Sequence, residues 1–263
     1  MAHDRLLEEG LGRLGRVRAP SGLLPGVLRQ LGLGYWYGTT ESVLGPLFVA
    51  QGPAGVVAVR PSGDAEGFER WFQERYGHEV RPAEEPSGAT GARLDAALRG
   101  ERSRLAVDLA ELSEFQRSVL LKTREIPRGE VRTYGWVAKE IGRPRAVRAV
   151  GSALARNPVP LIVPCHRVLP GDLRLGQYSC GGPEAKRVVL RHEGVDPDEL
   201  EVLAKGGVRY IGSDTTRVFC TPTCHRAQRI TDRHRRQFRT ERQAREAGYR
   251  PCRVCRPVGE AAA

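Results

Sequence analysis

No cysteine occurs before Cys165, and no stretch approaches the run of about 18 apolar residues that marks a membrane-crossing helix. The opening segment carries Asp4, Glu8 and Glu9 and has no apolar centre, so a secretory signal is not expected. Internal repeats and low-complexity tracts are also missing. These absences point to a cytoplasmic, reducing setting, where paired cysteines serve metal binding or catalysis more often than disulfides. What is present is an ordinary globular composition of 263 residues, 40% hydrophobic and 28% charged. That length suits roughly two domains and buries a real core without disulfide staples.

The charge is unevenly placed. Lys and Arg number 42 against 31 Asp and Glu, for a net +11. Residues 1–108 carry 13 basic and 14 acidic side chains, residues 109–204 carry 15 and 12, and residues 205–256 carry 14 and 4. Almost all the excess therefore falls in about one fifth of the chain, which reads as a polyanion-binding module, most often for nucleic acid. A solvated basic face is the plainer alternative. Four of the six cysteines lie in the same block.

Residues 1–32 show no clean period and form an unassigned extension. Between Tyr35 and Val59 the Gly-punctuated apolar runs predict a meander of short strands. A helix is expected over Ala65–Tyr76, with Phe68, Trp71 and Phe72 among charges. Residues 81–93, rich in Pro, Glu, Gly and Ser, read as a surface loop, and Leu105–Leu109 as a further strand. Ser113-Glu114-Phe115-Gln116 opens a helix whose apolar face includes Phe115, Val119 and Leu120. Thr133 is placed to N-cap a short helix through Trp136, Val137 and Ile141. Gly142-Arg143-Pro144 turns the chain into a second helix over Ala146–Ala155. Two short helices across such a turn have the form of a helix-turn-helix. Residues 128–167 hold eight basic side chains against two acidic ones, which suits docking on DNA.

An apolar strand bracketed by prolines, Asn157 to Pro164, then delivers Cys165, with His166 as a base and Arg167 as local positive charge. A thiol needs such company to reach the nucleophilic thiolate at neutral pH. Spacing alone leaves two readings open: a nucleophilic cysteine beside a DNA-binding element, or a buried structural cysteine with a surface histidine.

The motifs Phe115-Gln116-Arg117, Ile126-Pro127-Arg128-Gly129-Glu130, Thr133-Tyr134-Gly135, Arg148-Ala149-Val150-Gly151, Asn157-Pro158, Val163-Pro164-Cys165-His166-Arg167-Val168 and His192-Glu193-Gly194 resemble the O6-alkylguanine-DNA alkyltransferase family. The resemblance is dense over residues 113–196 and looser in front, where it implies a ribonuclease-H-like domain. It implies an α+β chain with that domain over 1–108 and a winged helix-turn-helix alkyltransferase domain over 109–204. The implied reaction is single-turnover repair. An O6-alkylated guanine is flipped out of duplex DNA and Cys165 takes its alkyl group irreversibly. In the implied scheme His166 draws the thiol proton through a water and Glu193 orients His166. Tyr134 crowds the phosphate and polarises the base, and Asn157 ties the active-site turn to the recognition helix. Arg148 fills the vacated stack, and the helix enters the minor groove. Val168 and Ser179, with Tyr178 beside them, hold the extruded guanine. The chain departs from the family at Cys180-Gly181-Gly182-Pro183, one residue longer, where Cys180 reads as a tolerated extra thiol on the loop.

In the basic block, Cys220-x3-Cys224 and Cys252-x2-Cys255 have the form of a four-cysteine zinc site. The run from Tyr210-Ile211 through Thr215 to Cys224, then Ala247-Gly248-Tyr249-Arg250-Pro251-Cys252-Arg253-Val254-Cys255, resembles the Ada-type zinc domain, here over 205–257. That resemblance makes Cys220 the counterpart of a thiolate that accepts methyl from a DNA methylphosphotriester. Three readings stay open for this end: a second methyl acceptor, a zinc-stabilised DNA-binding module without transfer, and a structural appendage. Because only eight residues follow Cys255, no second helix-turn-helix pair, and no activator function, is expected there. The joint expectation is a monomeric, nucleoid-associated methyltransferase that acts on duplex DNA carrying O6-alkylguanine. It uses zinc, in a structural and thiolate-activating role, and no organic cofactor or membrane. The alternative is a non-catalytic damage sensor or DNA-binding regulator.

Overall fold

The computed structural model describes residues 33–83 and 88–257, so the 1–32 extension lies outside the described residues. Strands β1 (Tyr35–Thr40), β2 (Leu47–Gly52) and β3 (Gly55–Pro61) form the expected antiparallel meander. Helix α1 (Ala65–Tyr76) ends at Gly77 in the left-handed conformation and leads to β4 (Val80–Pro82), which pairs parallel with β1. The sheet order is β3-β2-β1-β4. Strand β2 is buried on both faces because its alternate residues serve different cores. Phe48 and Ala50 meet Phe68 and Phe72 of α1, while Leu47 and Val49 face the large central cluster.

Three sequence expectations need correction. The proposed 81–93 loop contains the rest of β4 and the start of helix α2 (Gly88–Leu98), with 84–87 outside the described residues. Leu94, Ala97 and Leu98, three and four apart, bury one face of α2, and this periodicity was hidden by the flanking Pro and Ser. The Leu105–Leu109 strand reduces to a single bridge, Val107 to Val56. The Arg124 guanidinium takes the Ser103 and Leu105 carbonyls at 3.2 and 2.6 Å, so a side chain does the work of a neighbouring strand. The proline-bracketed segment before Cys165 is a compact turn with Leu161 at φ 69° and one bridge, Pro160 to Val163. Prolines there lack ladder donors. The Asn157 side chain instead donates to the Val163 carbonyl at 2.9 Å and accepts from the Val159 N–H at 3.1 Å.

Helix α3 (Glu114–Arg124) starts at Ser113 with a reciprocal capping box to Gln116. Strand β5 (Arg132–Thr133) follows, and Thr133 caps α4 (Tyr134–Glu140) by accepting from the Trp136 N–H. Helix α5 (Val147–Ala155) packs on α3 and α4, burying Val150, Ala153 and Leu154. A single 3-10 turn, Cys165–Arg167, leads into β6 (Val168–Leu169), which pairs parallel with β5. Helices α6 (Gly182–His192) and α7 (Pro197–Lys205) close this part. One buried cluster runs from Leu47 and Val49 through α2 to α5 and reaches Cys165. The basic end forms a second four-stranded sheet, β10-β8-β7-β9, from β7 (Tyr210–Ser213), β8 (Val218–Cys220), β9 (Arg235–Phe238) and β10 (Arg250–Pro251). It carries the short helices α8 (His225–Gln228) and α9 (Glu241–Glu246). The chain is thus mixed α+β, and no described helix is long and apolar enough to cross a membrane.

Candidate active site and metal centre

Cys165 opens the 3-10 turn at the edge of the central core and is 7% exposed. Asn157 Nδ2 donates to its sulfur at 3.2 Å, the same amide that fixes the preceding turn. Burial pushes the Cys165 thiol above its usual range; the Asn157 hydrogen bond, the nearby Lys186 charge and a hydrogen bond with Ser179 oppose that rise. The thiol therefore keeps its proton at neutral pH until a base removes it.

The His166 ring is fully buried, with Nε2 3.0 Å from Glu193 Oε1. Burial by itself would raise the Glu193 carboxyl, but hydrogen bonds from His166 and Arg167 outweigh it and hold the group at about 2. An ionised carboxylate only accepts, so Nε2 carries the ring hydrogen and Nδ1 carries the lone pair. Nδ1 has no hydrogen-bond partner among the described residues, and burial holds the imidazole pKa below 6.5. No direct hydrogen bond joins His166 to Cys165 among the described residues. Tyr178 packs edge-on to the His166 ring at 6.0 Å and is buried. Tyr134 stands at the start of α4, half-buried, and a Cβ on Gly151 of α5 would touch its ring. Burial, then the neighbouring Cys165, raises the Tyr134 phenol. Arg148 is exposed on α5, and Ser179 is exposed in the loop before α6.

Arg167 does not supply positive charge to Cys165 as the sequence suggested. Its guanidinium is buried and committed elsewhere. Nε and Nη2 donate to Glu193 at 2.7 and 2.6 Å, Nη1 to the Ile126 carbonyl at 2.6 Å and Nη2 to the Gly100 carbonyl at 2.8 Å. The local cation is Lys186, which sequence reasoning missed. It is 1% exposed, Nζ donates to the Val168 carbonyl at 2.9 Å, and burial lowers its pKa to about 8. Its place on α6, three and four residues before buried Val189 and Leu190, was the available signal. The Val168 oxygen keeps a second lone pair for another donor. Cys180 also differs from expectation. It is 5% exposed and packs into the cluster that holds Cys165, so it is a core thiol and not a loop decoration.

Gly100 was missed as well. It sits at φ 75°, and a Cβ there would fall 2.2 Å from Glu193 Oε1 and 2.6 Å from Arg167 Nη2. Gly100→Ala is expected to destabilise the fold by about 1–3 kcal/mol from backbone strain alone, with displacement of the Glu193 carboxylate added. An unchanged denaturant midpoint would count against this packing.

The Glu193 cluster also predicts acid sensitivity. The folded carboxyl, at about 2, lies below its ordinary 4.5, so the unfolded chain binds more protons between those values. Its contribution is complete above pH 4.5 and is lost as pH falls towards 2. His166, held below 6.5, adds a loss of the same sign starting from higher pH. Stability followed by denaturation from pH 7 to pH 3 should fall, and Glu193→Gln should flatten the lower part of that curve.

In the basic end, Cys220 closes β8, Cys224 precedes α8, and Cys252 and Cys255 lie in the turn after β10. All four are buried, with sulfurs within 4.8 Å of one another. Tetrahedral zinc with sulfur at about 2.3 Å sets sulfur–sulfur separations of about 3.8 Å, so this donor set fits zinc in number, chemistry and spacing. Two sulfurs accept backbone N–H groups: Cys255 from Thr221 at 3.4 Å and Cys252 from Val254 at 3.4 Å. No such bond reaches Cys220 among the described residues.

Residues 114–195 match the family described as 6-O-methylguanine DNA methyltransferase, DNA binding domain, and residues 204–258 match the metal binding domain of Ada. The methylated-DNA–protein-cysteine methyltransferase of Methanosarcina acetivorans is 38% identical over 163 residues, 60% of this chain and 98% of that protein. The enzyme of the same name from Rattus norvegicus is 42% identical over 100 residues, 38% of this chain and 46% of that protein. Among solved structures, Mycobacterium tuberculosis OGT in complex with DNA aligns at 33% identity and TM-score 0.49, covering 63% of this chain and 98% of that one.

Proposed function

This chain belongs to the methylated-DNA–protein-cysteine methyltransferase family, and from that premise we propose that Cys165 is the acceptor that takes the alkyl group of O6-alkylguanine in duplex DNA. The observation that carries the assignment is the buried Cys165–Asn157 contact beside a His166–Glu193 pair whose free nitrogen is the basic one. Cys165 Sγ attacks the alkyl carbon, the carbon–O6 bond breaks, and its electron pair returns to guanine. The thiol proton passes through a water to His166 Nδ1, and the imidazolium formed is stabilised by Glu193. Lys186 adds a favourable field for the thiolate. The thioether is permanent, so each molecule acts once.

On this reading residues 33–108, 109–204 and 205–257 are three domains, the first ribonuclease-H-like and the second a winged helix-turn-helix. Helix α5 enters the minor groove, exposed Arg148 fills the gap left by the flipped base, and Tyr134 crowds the backbone phosphate. Tyr178, Ser179 and Val168 form the wall against which the base rests. Cys220, Cys224, Cys252 and Cys255 hold zinc, which keeps their sulfurs ionised as thiolates. A second acceptor role for Cys220, towards a methylphosphotriester, is supported by the match of residues 204–258 to the metal binding domain of Ada, and no backbone N–H donates to its sulfur among the described residues, which leaves a thiolate there more of its nucleophilicity.

The test is intact-protein and peptide mass spectrometry after incubation with two oligonucleotides, one carrying O6-methylguanine in a duplex, the other a methylphosphotriester. Methyl is expected on the Cys165 peptide with the first and on the Cys220 peptide with the second. A protein that binds the first duplex and gains no mass is a damage sensor, and the transferase reading falls.

A further inference from the structure

The zinc end is not tethered loosely to the rest of the chain. The zinc ligands' turns and the residues beside them grip one segment, 130–140, which runs through β5 and α4. Thr223, just before Cys224, accepts the Val131 N–H at 2.9 Å. His225, just after Cys224, directs its backbone N–H and its Nδ1 to Glu130 Oε1 at 3.2 and 2.9 Å. The Cys255 carbonyl accepts Trp136 Nε1–H at 3.0 Å, and Arg256 pairs with Glu140 at 2.7 Å. Glu130, Val131, Arg132 and Trp136 are each 5% exposed or less. Glu130 is held on its other oxygen by Arg132 at 2.5 Å, and the Arg132 guanidinium lies 5.5 Å from the Trp136 ring centre.

This segment has direct lines to the site. Trp136 shares the first turn of α4 with Tyr134. Arg132 and Thr133 form β5, which pairs with Val168 and Leu169, the two residues after the Cys165–Arg167 turn. The Val131–Thr223 and Trp136–Cys255 contacts are buried, and the Glu130 carboxylate is buried although His225 is half-exposed. Such contacts fix one arrangement, because breaking them leaves a buried group desolvated and unpaired.

We propose that the metal-loaded four-cysteine centre is a structural part of the alkyl-transfer site, and that Glu130 and Trp136 are the positioning residues that join them. Glu130 anchors the Cys224 turn and Trp136 the Cys255 turn, so the zinc loop sets the placement of β5, Tyr134 and β6. The inference rests on Cys165 being the alkyl acceptor. It gives the metal a role in repair of guanine that does not depend on any transfer to Cys220.

The test uses full-length, zinc-loaded protein, with zinc content measured, as wild type, Glu130→Gln and Trp136→Phe. Glu130→Gln keeps shape and removes the charge that His225 and Arg132 share, and Trp136→Phe removes the indole N–H donor together with part of the ring. The single-turnover rate of methyl transfer to Cys165 at saturating duplex is expected to fall about tenfold in each, with duplex Kd changed less than about twofold. Zinc is expected to leave for a chelator at least about threefold faster. Wild-type transfer rates in both variants, or unchanged zinc release, overturn the proposal. Hydrogen exchange on zinc-stripped wild type decides independently of the variants' folding. Raised exchange across 130–136 and 168–169 supports the link, and a rise confined to 210–256 overturns it. A wild-type protein that never methylates Cys165 would instead remove the functional reading beneath it.

Discussion

Cys165→Ser is expected to abolish methyl uptake from O6-methylguanine duplex altogether, whereas His166→Gln should slow it by about 10²–10⁴-fold. The two losses differ because the proposed scheme gives the residues different work. The sulfur forms the bond, and an alcohol in its place is a far poorer nucleophile that Asn157 and Lys186 cannot rescue. The imidazole only removes the proton. With His166→Gln the thiol must ionise unaided, and burial already pushes its pKa up. Raising the pH should therefore recover part of the His166→Gln rate and none of the Cys165→Ser rate. Single-turnover time courses at matched duplex concentration make the comparison. Methyl uptake from this substrate by the serine variant would show that another residue is the acceptor. A His166→Gln rate equal to wild type would remove the base from the scheme.

Cys252→Ala is expected to cost the basic end its fold. The two apolar clusters there are small. In the first, four of eight buried residues are the cysteines themselves, beside Leu203, Val208, Ile211 and Ala227. The second holds Tyr210, Phe219, Phe238, Ala244 and Tyr249. Such a core does not offset the ordering of about 50 residues, at roughly 1–2 kcal/mol each for the backbone. Structural zinc contributes an apparent 10–16 kcal/mol in small domains, and loss of one of four ligands forfeits much of it. Cys252 is the informative position because the acceptor reading assigns no transfer to it. Metal analysis should show zinc lost, and trypsin should cleave first within the arginine-rich stretch 226–250. A zinc-free variant with wild-type protease resistance would mean that packing, not metal, holds this end. A chelator applied to wild type should produce the same cleavage pattern.

The elements were legible in the sequence where local chemistry dictates them. Ser113 and Thr133 cap the helices that their positions suggested, and α1 runs over the span its aromatic spacing marks. The failures came where a side chain or a distant strand satisfies the backbone. Arg124 replaced the strand at Leu105, Asn157 replaced the ladder before Cys165, and α2 emerged only once its Leu94 face had a core to meet.

Membership of the site divides in the same way. Cysteine spacing marked out four candidate zinc ligands, and the fold brings their sulfurs within 4.8 Å of one another, because zinc geometry leaves few ways to place two close pairs of sulfurs. Motif order likewise proposed Cys165, His166 and Glu193, which the fold places in one neighbourhood. The electrostatics were decided only by the fold. Arg167 looked like the cation next to the thiol, yet its charge is spent on Glu193, while Lys186, far along the chain, supplies the field. Gly100 matters only because two charged side chains crowd its α-carbon. The sequence also separated the basic cysteine-rich end from the rest, and the tertiary structure joined them through Glu130 and Trp136. Local order along the chain sets which groups are present. Burial and the direction of each hydrogen bond, which depend on residues dozens of positions apart, set what those groups do.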